Sequence, residues 1–381
     1  RLLFAGFDPS PEKVQGKTDE EIDAIFISGK LSEQLVNRLE IYLDHVSYPI
    51  AVRSSSLLED SQAQPLAGVY RTFMLPNNHV DKMFRLRQLM DAIKLVFSSV
   101  YLSDARNFLE ALNFKAEEEK MAVIIQETVG SVKGERYYYP HISGVAQSYN
   151  FYPTSYMQHT DGIANIALGL GKSVVEGKLN HRFCPRYPET EMLPQQEMVR
   201  SSQKEFYALD LQMNDFDLTK GEEITLVKLN LRQAQGHDVL KYVASVWDYE
   251  NYRLTDNLNE EGMKVLTFAG ILKYHHFPLA KIVEELLEIG EIALGIPVEI
   301  EFAVNLEHDP RYNHRPTFYI LQIRPLSVNT DAYRIDTEKL DKHNLLMYTE
   351  HGMGNGVIQD LTDIIYLDPN RFDKTNTPAM Q

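Results

Sequence analysis

Apolar positions recur every three or four residues in three segments of the chain, and this spacing predicts amphipathic helices. The segments are Thr18 to Val46, Val80 to Phe114, and KIVEELLEIGEIALG, which ends near Gly295. The first segment opens on a threonine followed by acidic residues (TDEEIDAIF), the pattern of a capped helix start. Within it, a second periodic run, LSEQLVNRLEIYLDHV, follows the first.

Runs rich in β-branched and aromatic residues lie between and after these helices, and they predict strands. In chain order they are YPIAVRSSS, GVYRTFMLPN, MAVIIQETV, SGVAQSYNFYP, ANIALGLG, IPVEIEFAV and TFYILQIRPL. The residues between the last two runs are turn-like, so these two strands are predicted to form a β-hairpin with a long tip. From about Leu179 to Asn259 the chain is instead polar, rich in Gln, Glu, Asp and Lys.

The hairpin gathers residues that carry chemistry. Because side chains alternate along a strand, Glu299 and Glu301 share one face, and Gln322 and Arg324 share a face of the partner strand. The opposite faces carry apolar side chains that are predicted to be core: Val298, Ile300, Phe302, Leu321, Ile323 and Leu326. Carboxylate and amide oxygens suit Mg²⁺, and an arginine beside them suits a polyphosphate. An exposed face with one cross-strand ion pair is the alternative, and the pattern alone leaves both open.

Arg53 ends the apolar run PIAV and is followed by three serines. Serine hydroxyls and backbone N–H groups can hold phosphate oxygens, but a lone arginine at a strand end is more often a surface charge. The stretch GLGKSVVEGK is not a Walker P-loop, because the required first glycine is Ile166. A strand-to-helix turn explains it equally well. His275 and His276 lack metal-ligand spacing, and Cys184 has no neighbouring base, so neither is assigned a role.

The composition of the chain limits the classes of binding partner that we expect. The net charge is −16, with 38 Lys+Arg against 54 Asp+Glu. Nucleic acids and anionic membranes need basic surfaces, so both are excluded as expected partners. No apolar run approaches the ~20 residues that span a bilayer, and no signal peptide is recognised. The single cysteine fits a reducing compartment, so we expect a cytoplasmic protein. Because the chain opens at Arg1 in mid-pattern, we expect it to be a fragment.

The ordered set AVRSS...ED, AGVYRTF, SGVAQS, GLGKSVVEGK, GIPVEIEFAV and FYILQIRPL resembles the N-terminal nucleotide-binding domain of the phosphoenolpyruvate synthase and pyruvate phosphate dikinase family. The family's forms are roughly AVRSSA..ED, SFAGQ.ETF, ASGV.FT, GLGE.VV.G, G.P.DIEWA and LYILQ.RP. The resemblance spans about Tyr48 to Leu326. It implies an α+β fold of the ATP-grasp type, in which two lobes hold ATP in a cleft between them, here with a polar insertion.

The resemblance also implies roles for residues at matching positions. Arg53 and Arg324 match arginines that hold ATP phosphates and act in catalysis, and Gly68 and Thr72 match a glycine-rich phosphate lid. Gln126 to Val129 matches the segment against which adenine packs. Glu301 and Gln322 match the Mg²⁺ ligands, and Glu299 matches the family's aspartate in DIEWA. The implied nucleotide-binding set is Arg53, Gly68, Thr72, Gln126, Val129, Glu299, Glu301, Gln322 and Arg324.

The function implied is that of a phosphotransferase. With ATP and Mg²⁺ as cofactors, phosphate would pass to a histidine on a swivelling domain and then to pyruvate. The phosphohistidine and pyruvate-binding domains are absent from this chain, since none of its histidines lies in a TSHA-like context. The final acceptor stays open (a glucan or an antibiotic are others), as does a homodimer. Val69 replaces the family's lid glutamine and no glycine-glycine-lysine segment is present, so a non-catalytic ATP-binding or regulatory module is an alternative. An acidic interaction protein without a ligand is a third.

The chain is predicted to have four parts. Residues 1–178 form an N-terminal ATP-grasp lobe with a helical N-terminal region, and 179–265 form a polar insertion or mobile subdomain. Residues 266–330 form a C-terminal lobe that contains the hairpin. Residues 331–381 are a tail or the start of a linker to a further domain.

Overall fold

The computed structural model describes residues 14, 16–56, 58, 68–111, 114, 119–154, 156–175, 177–307, 315–326, 328, 344–347 and 362–364. The chain divides into two compact units, residues 1–327 and 328–381. The predicted tail from residue 331 lies almost wholly outside the described residues. Among those described, no helix is both long enough and apolar enough to cross a membrane.

The longer described helices lie where the helical period predicts them, whereas the short ones between residues 172 and 272 lie outside the three predicted segments. They are α1 (Asp19–Ser28), α2 (Glu33–His45), α3 (Lys82–Ser98), α4 (Ser103–Ala111), α5 (Lys172–Val175), α6 (Gln195–Ser201), α7 (Leu231–Gln235), α8 (Leu240–Val243), α9 (Ala269–Leu272) and α10 (Leu279–Leu294). Thr18 caps α1 reciprocally with Glu21, as the sequence predicts. Gly295 ends α10 with φ of +71°, a conformation that favours glycine.

The segment Val80 to Phe114 is helical over most of its described length, as predicted, but α3 and α4 are separated by a break that the spacing does not predict. The hydroxyls of Ser98 and Ser99 donate to the carbonyls of Leu95 and Val96, and such bonds compete with the helical ladder. A short 3₁₀ turn follows, and the carboxylate of Asp19 then accepts bonds from the backbone and hydroxyl of Ser103. These local hydrogen bonds end α3 and begin α4.

The strands among the described residues form four sheets. They are β1 (Ile50–Ser56), β2 (Thr72–Leu75), β3 (Met121–Glu127), β4 (Ser131–Lys133), β5 (Tyr137–Tyr139), β6 (Ile142–Gln147), β7 (Ile163–Ala167), β8 (His181–Phe183), β9 (Glu205–Asp210), β10 (Leu226–Asn230), β11 (Ala244–Asp248), β12 (Arg253–Thr255), β13 (Met263–Leu266), β14 (Val298–Asn305) and β15 (Thr317–Pro325). The orders are β2-β1-β3 (the N-terminal sheet), β10-β9-β5-β4, β12-β11-β13 and β15-β14-β6-β7-β8 (the five-stranded sheet). All the pairings are antiparallel.

The two largest groups of buried apolar side chains lie under different sheets. One joins Val52 and Phe73 of the N-terminal sheet to helices such as α3, through Leu89. The other lies under the five-stranded sheet and includes Ile300 and Phe302. Unit 1 is thus a mixed α+β structure with a separate core for each of the two sheets that carry the predicted site residues.

The polar stretch shares the second core. Phe206 and Leu209 of β9 are buried in the same cluster as Phe302, and β9 pairs with β5 of the preceding segment. Its strands are only three to six residues long, so no long apolar run marks them in the sequence. Assignment of residues 179–265 to an insertion or mobile subdomain stays a prediction.

The predicted hairpin forms and is confirmed. Glu299 pairs with Arg324 and Glu301 with Gln322, and the register then shifts at a β-bulge between Glu301 and Phe302. Burial of the apolar face holds for β14, but on the other side of the hairpin Ile323 exposes 46% of its surface, and Leu321 and Leu326 are only partly buried. The prediction of these three residues as core was wrong. The reason is that β15 is the edge strand of its sheet.

Candidate functional site

Arg53 lies on the face of β1 that points away from the N-terminal core. Burial alternates along the strand, with Val52 and Ser54 inside and Arg53 partly accessible. Ser54 and Ser56 therefore point into the core, and only Ser55 shares the face of Arg53. Of the three serine hydroxyls that could hold phosphate oxygens, only that of Ser55 is therefore on the side of the guanidinium, because strand geometry sends alternate side chains to opposite faces.

The guanidinium of Arg53 crosses to the five-stranded sheet. Its Nη2 donates to Gln322 Oε1 at 2.5 Å, and its Nη1 lies 3.5 Å from Glu301 Oε2. Some 250 residues separate the partners, since the contacts span 248 and 269 positions. Both side chains of the ion pair are mostly buried, at 18% and 15% exposure. The two sheets therefore meet at this contact.

A second arginine lies beside it in the hairpin. Arg324 Nε donates to Glu299 Oε1 at 2.8 Å, and Nη2 contacts the same oxygen. The other oxygen, Oε2, accepts from Gln147 Nε2 at 2.6 Å, and Gln147 is the register partner of Glu299 on β6. Glu299 is buried, so its charge is held by an arginine on one side and an amide on the other.

The cluster of Arg53, Glu299, Glu301, Gln322 and Arg324, named the cleft cluster here, carries two positive and two negative charges. The oxygens of Glu301 and Gln322 both face the Arg53 guanidinium, so a cation already lies against the two predicted metal ligands. Among the described residues, no group of three or more His, Cys, Asp or Glu side chains is placed to hold a metal. Two oxygen ligands still fit Mg²⁺, which usually keeps waters and substrate phosphates in its remaining positions.

The segment predicted to contact a base is held tightly at both ends. Gln126, on the same face as Ala51, donates its Nε2 to the carbonyl of Leu321 at 3.3 Å. Beyond it, Tyr138 Oη donates to the Thr128 carbonyl and Asn305 Nδ2 to the Gly130 carbonyl, on either side of Val129. The backbone on either side of Val129 is thus held by β5 of the four-stranded sheet and by β14 of the five-stranded sheet.

Gly68 and Thr72 lie before and at the start of β2. Gly68 has φ of +76° and open space where a Cβ would project. Thr72 is the direct register partner of Arg53 and shares its face. Its backbone N–H donates to Glu222 Oε1 at 3.2 Å. The structure therefore places Thr72 beside the cleft cluster.

The GLGKSVVEGK stretch forms the turn from β7 into α5, which confirms the strand-to-helix interpretation. Gly169 has φ of +88°, and a Cβ there would lie 2.6 Å from the Tyr207 carbonyl oxygen, so the close approach requires glycine. Lys172 Nζ lies 3.3 Å from Glu223 Oε1. Lys178 Nζ donates to Tyr207 Oη at 2.7 Å.

A second charged cluster, named the buried cluster here, follows the other end of β14. Lys133 Nζ lies 2.5 Å from Glu307 Oε2, a charge contact rather than a well-aligned hydrogen bond. The Leu306 N–H donates to His141 Nδ1, which places the ring proton on Nε2, 3.5 Å from Glu307 Oε1. Burial lowers the pKa of His141 and of Lys133. The pKa of Glu307 is lowered to about 2, first by its interaction with His141 and then by Lys133. Partial burial acts in the opposite direction.

Sequence reasoning missed two residues of the cleft. Gln147 lies in the SGVAQS motif, but its role became clear only from the pairing of β6 with β14, which places it opposite Glu299. Glu222 lies in the polar stretch, and its contact with Thr72 spans 150 positions, so no local pattern points to it.

Two antiparallel sheets thus meet at two arginines, two carboxylates and an amide. The family model for the pyruvate phosphate dikinase AMP/ATP-binding domain matches residues 4–345. The chain belongs to this family, which confirms the resemblance found in its motifs, and ATP binding is the property of the family.

Two curated proteins are similar to the chain. Phosphoenolpyruvate synthase of Aeropyrum pernix is 26% identical over 288 residues, which cover 73% of this chain and 28% of that protein. The uncharacterized phosphotransferase YvkC of Bacillus subtilis is 26% identical over 166 residues, 43% of this chain and 18% of that protein. The chain thus spans under a third of the length of either relative.

Proposed function

We propose that this chain is the ATP-binding part of a phosphotransferase and that it binds Mg-ATP between the N-terminal sheet and the five-stranded sheet in an ATP-grasp arrangement. One observation carries the proposal. Arg53 of one sheet contacts Glu301 and Gln322 of the other, so residues 248 and 269 positions away meet at one place. Family membership and the phosphoenolpyruvate synthase relative support the same conclusion.

In this proposal, Arg53 and Arg324 bind the phosphates of ATP. Both are partly accessible at the cleft and both now lie on carboxylates, which phosphate oxygens can replace. Glu299, held by Gln147, keeps Arg324 oriented. Fixing the polyphosphate and balancing its charge is most of what a protein contributes to phosphoryl transfer.

Glu301 and Gln322 would hold Mg²⁺. When bound, the ion would neutralise phosphate charge and help to fix the polyphosphate. Because the Arg53 guanidinium contacts the same two oxygens, it would shift toward the phosphates on binding.

The adenine would lie beside residues 126–129, and Gly68 and Thr72 would cover the phosphates. Ile124 lies next to Arg53 across the β1–β3 pair and exposes 43% of its surface on the same face. It offers an apolar surface against which a base could pack. The fixed backbone around Val129 offers groups that could form hydrogen bonds with the base.

The phosphate would pass to a histidine of a separate swivelling domain and from there to pyruvate. Since the chain covers 28% of the synthase relative, we expect no phosphoenolpyruvate from the chain alone. Pyruvate-dependent product formed by the purified chain would contradict this.

Calorimetric titration with Mg-ATP tests the site. Arg324→Ala and Glu301→Ala are expected to weaken binding roughly tenfold or more, because each loses a charge-assisted contact. Arg136→Ala is the matched control, since Arg136 pairs with Asp210 outside the cleft cluster and should leave affinity unchanged. Equal affinity in wild type and both cleft variants would show that the site is wrong.

A further inference from the structure

Two consecutive carboxylates occupy hydrogen-bond donors beside the cleft cluster. Glu222 Oε1 accepts from the Thr72 N–H at 3.2 Å, and Glu223 Oε1 lies 3.3 Å from Lys172 Nζ. Both acids begin a 3₁₀ turn, Glu222–Thr225, whose Thr225 hydroxyl donates to the Met74 carbonyl at 2.6 Å. The turn therefore runs along the outer edge of β2.

The donors come from the same two sheets as the cleft cluster. Thr72 is the register partner of Arg53 on the N-terminal sheet. Lys172 follows β7 of the five-stranded sheet, which also carries Glu301. The acidic pair of Glu222 and Glu223 thus links the two sheets at a second place beside the one where Arg53 does.

A backbone N–H and an ammonium group are donors that phosphate oxygens commonly take in proteins. A carboxylate resembles a phosphate in part, since it offers these donors two oxygens that share one negative charge. Glu223 is 57% exposed while Lys172 is 19% exposed, so the carboxylate is solvated and the ammonium is the more enclosed partner. Such an ion pair stabilises little, and Lys172 can exchange its partner at low cost.

We propose that Lys172 and the Thr72 N–H bind the terminal phosphates of a nucleoside triphosphate, and that Glu222 and Glu223 hold these donors until the nucleotide arrives. The proposal rests on the proposed function and adds a cation and a competing acidic pair to it. It also gives a role to the lysine in GLGKSVVEGK, where the family form GLGE.VV.G has an acid.

Titration with ATP and AMP in the presence of Mg²⁺ tests the lysine. Lys172→Gln is expected to weaken ATP binding about fivefold to tenfold, because a contact with a charged phosphate is lost. AMP lacks the terminal phosphates, so its affinity should change less than about twofold. Lys178→Gln is the matched control, with the same charge change in the same loop; both ammonium groups lie over the Tyr207 ring, but that of Lys178 also donates to the Tyr207 hydroxyl. Equal losses in both variants, or for both nucleotides, would overturn the proposal.

Glu223→Gln gives an effect of opposite sign. Removing the competing charge should tighten ATP binding about twofold to fivefold, in line with the small energy of an exposed pair. Glu285→Gln, which also loses an exposed lysine partner, should leave affinity unchanged. If the acidic pair only covers the edge of β2, Glu223→Gln will leave ATP affinity as in wild type.

The outcome for wild type separates the two proposals. Wild type that binds no Mg-ATP would overturn the proposed function and this inference with it. Wild type that binds Mg-ATP, with Lys172 and Glu223 variants unchanged, would overturn this inference alone.

Discussion

The two ends of β14 carry charged clusters of different character. At the start of the strand, Glu299 and Glu301 meet arginines from β15 and from the N-terminal sheet, and every member of these pairs keeps some contact with solvent. Just after its end, Glu307 meets Lys133 and His141, whose side chains are 2% and 0% exposed. The cations of the cleft cluster keep partial contact with solvent, whereas Lys133 and His141 of the buried cluster are enclosed in the interior.

The difference bears on function. A cation that is partly solvated can exchange a carboxylate for a phosphate without a large change in hydration. An enclosed cation cannot, because losing its carboxylate partner would leave it poorly compensated in the interior. Charge pairing alone therefore does not indicate a ligand site; we expect one where the paired side chains lie at the junction of two sheets and keep contact with solvent. The buried cluster is expected to serve stability and the cleft cluster binding.

The largest expected effect comes from the packing that positions both ends of β14. A Cβ on Gly144 would lie 2.3 Å from Phe302 Cζ, and Phe302 is almost fully buried. Gly144→Ala should lower the free energy of unfolding by ~3 kcal/mol through overpacking and weaken Mg-ATP binding as well. Gly171→Ala, where the nearest atom is 3.7 Å away, should change neither. Urea denaturation and calorimetry would detect both effects, and a stable Gly144→Ala variant would mean that the ring has room to move.

The second-largest loss of stability is expected when the buried cluster loses a charge. Glu307→Ala should lower the free energy of unfolding by ~2 kcal/mol, below the range for a fully buried pair because Glu307 is 37% exposed. Mg-ATP affinity should stay within twofold of wild type. Glu285→Ala removes an exposed ion pair and should change stability by less than ~0.5 kcal/mol. A loss of ATP affinity in Glu307→Ala would remove the distinction between the clusters.

The buried cluster also predicts acid sensitivity. The pKa of Glu307 falls from 4.5 to about 2 in the folded state, so the unfolded state binds more protons between these values. Its stabilisation is thus complete above about pH 4.5 and is lost as pH falls toward 2. The lowered pKa of His141 acts in the same direction below about pH 6.5.

Denaturation of wild type and Glu307→Gln at a series of pH values would measure this. The difference in stability between the two should shrink as pH falls from 4.5 toward 2. A constant difference across that range would contradict the assignment.

The smallest stability effect is expected in the cleft cluster. Arg324→Gln should lower the free energy of unfolding by ~1 kcal/mol, less than the loss of a fully buried pair, because Arg324 is 19% exposed and the Gln147 amide still donates to Glu299. The same variant should lose Mg-ATP affinity, so that binding and stability respond oppositely at the two ends of β14. Thermal unfolding with and without Mg-ATP would show both. A large loss of stability without nucleotide would place Arg324 with the buried cluster.

Much of the local structure could be predicted from the sequence. The spacing in TDEEIDAIF predicts α1 and its cap, and the alternation in IPVEIEFAV and TFYILQIRPL predicts β14 and β15. These predictions succeed because helix and strand periods depend on nearby residues. The break after Ser98 was missed because two hydroxyls compete with the helix there. The strands of the polar stretch were missed because they are short and only partly apolar.

The sequence by itself determined the family, the hairpin and the face that Glu299, Glu301, Gln322 and Arg324 share, because strand alternation and motif order are written along the chain. Only the tertiary structure decided which cations they meet. Arg53, Gln147 and Glu222 reach their partners across 150 to 269 positions, through sheet pairing and the packing of two cores. Burial separates the two ends of β14 in the same way. A charge has the same appearance in sequence whether water or a folded interior surrounds it.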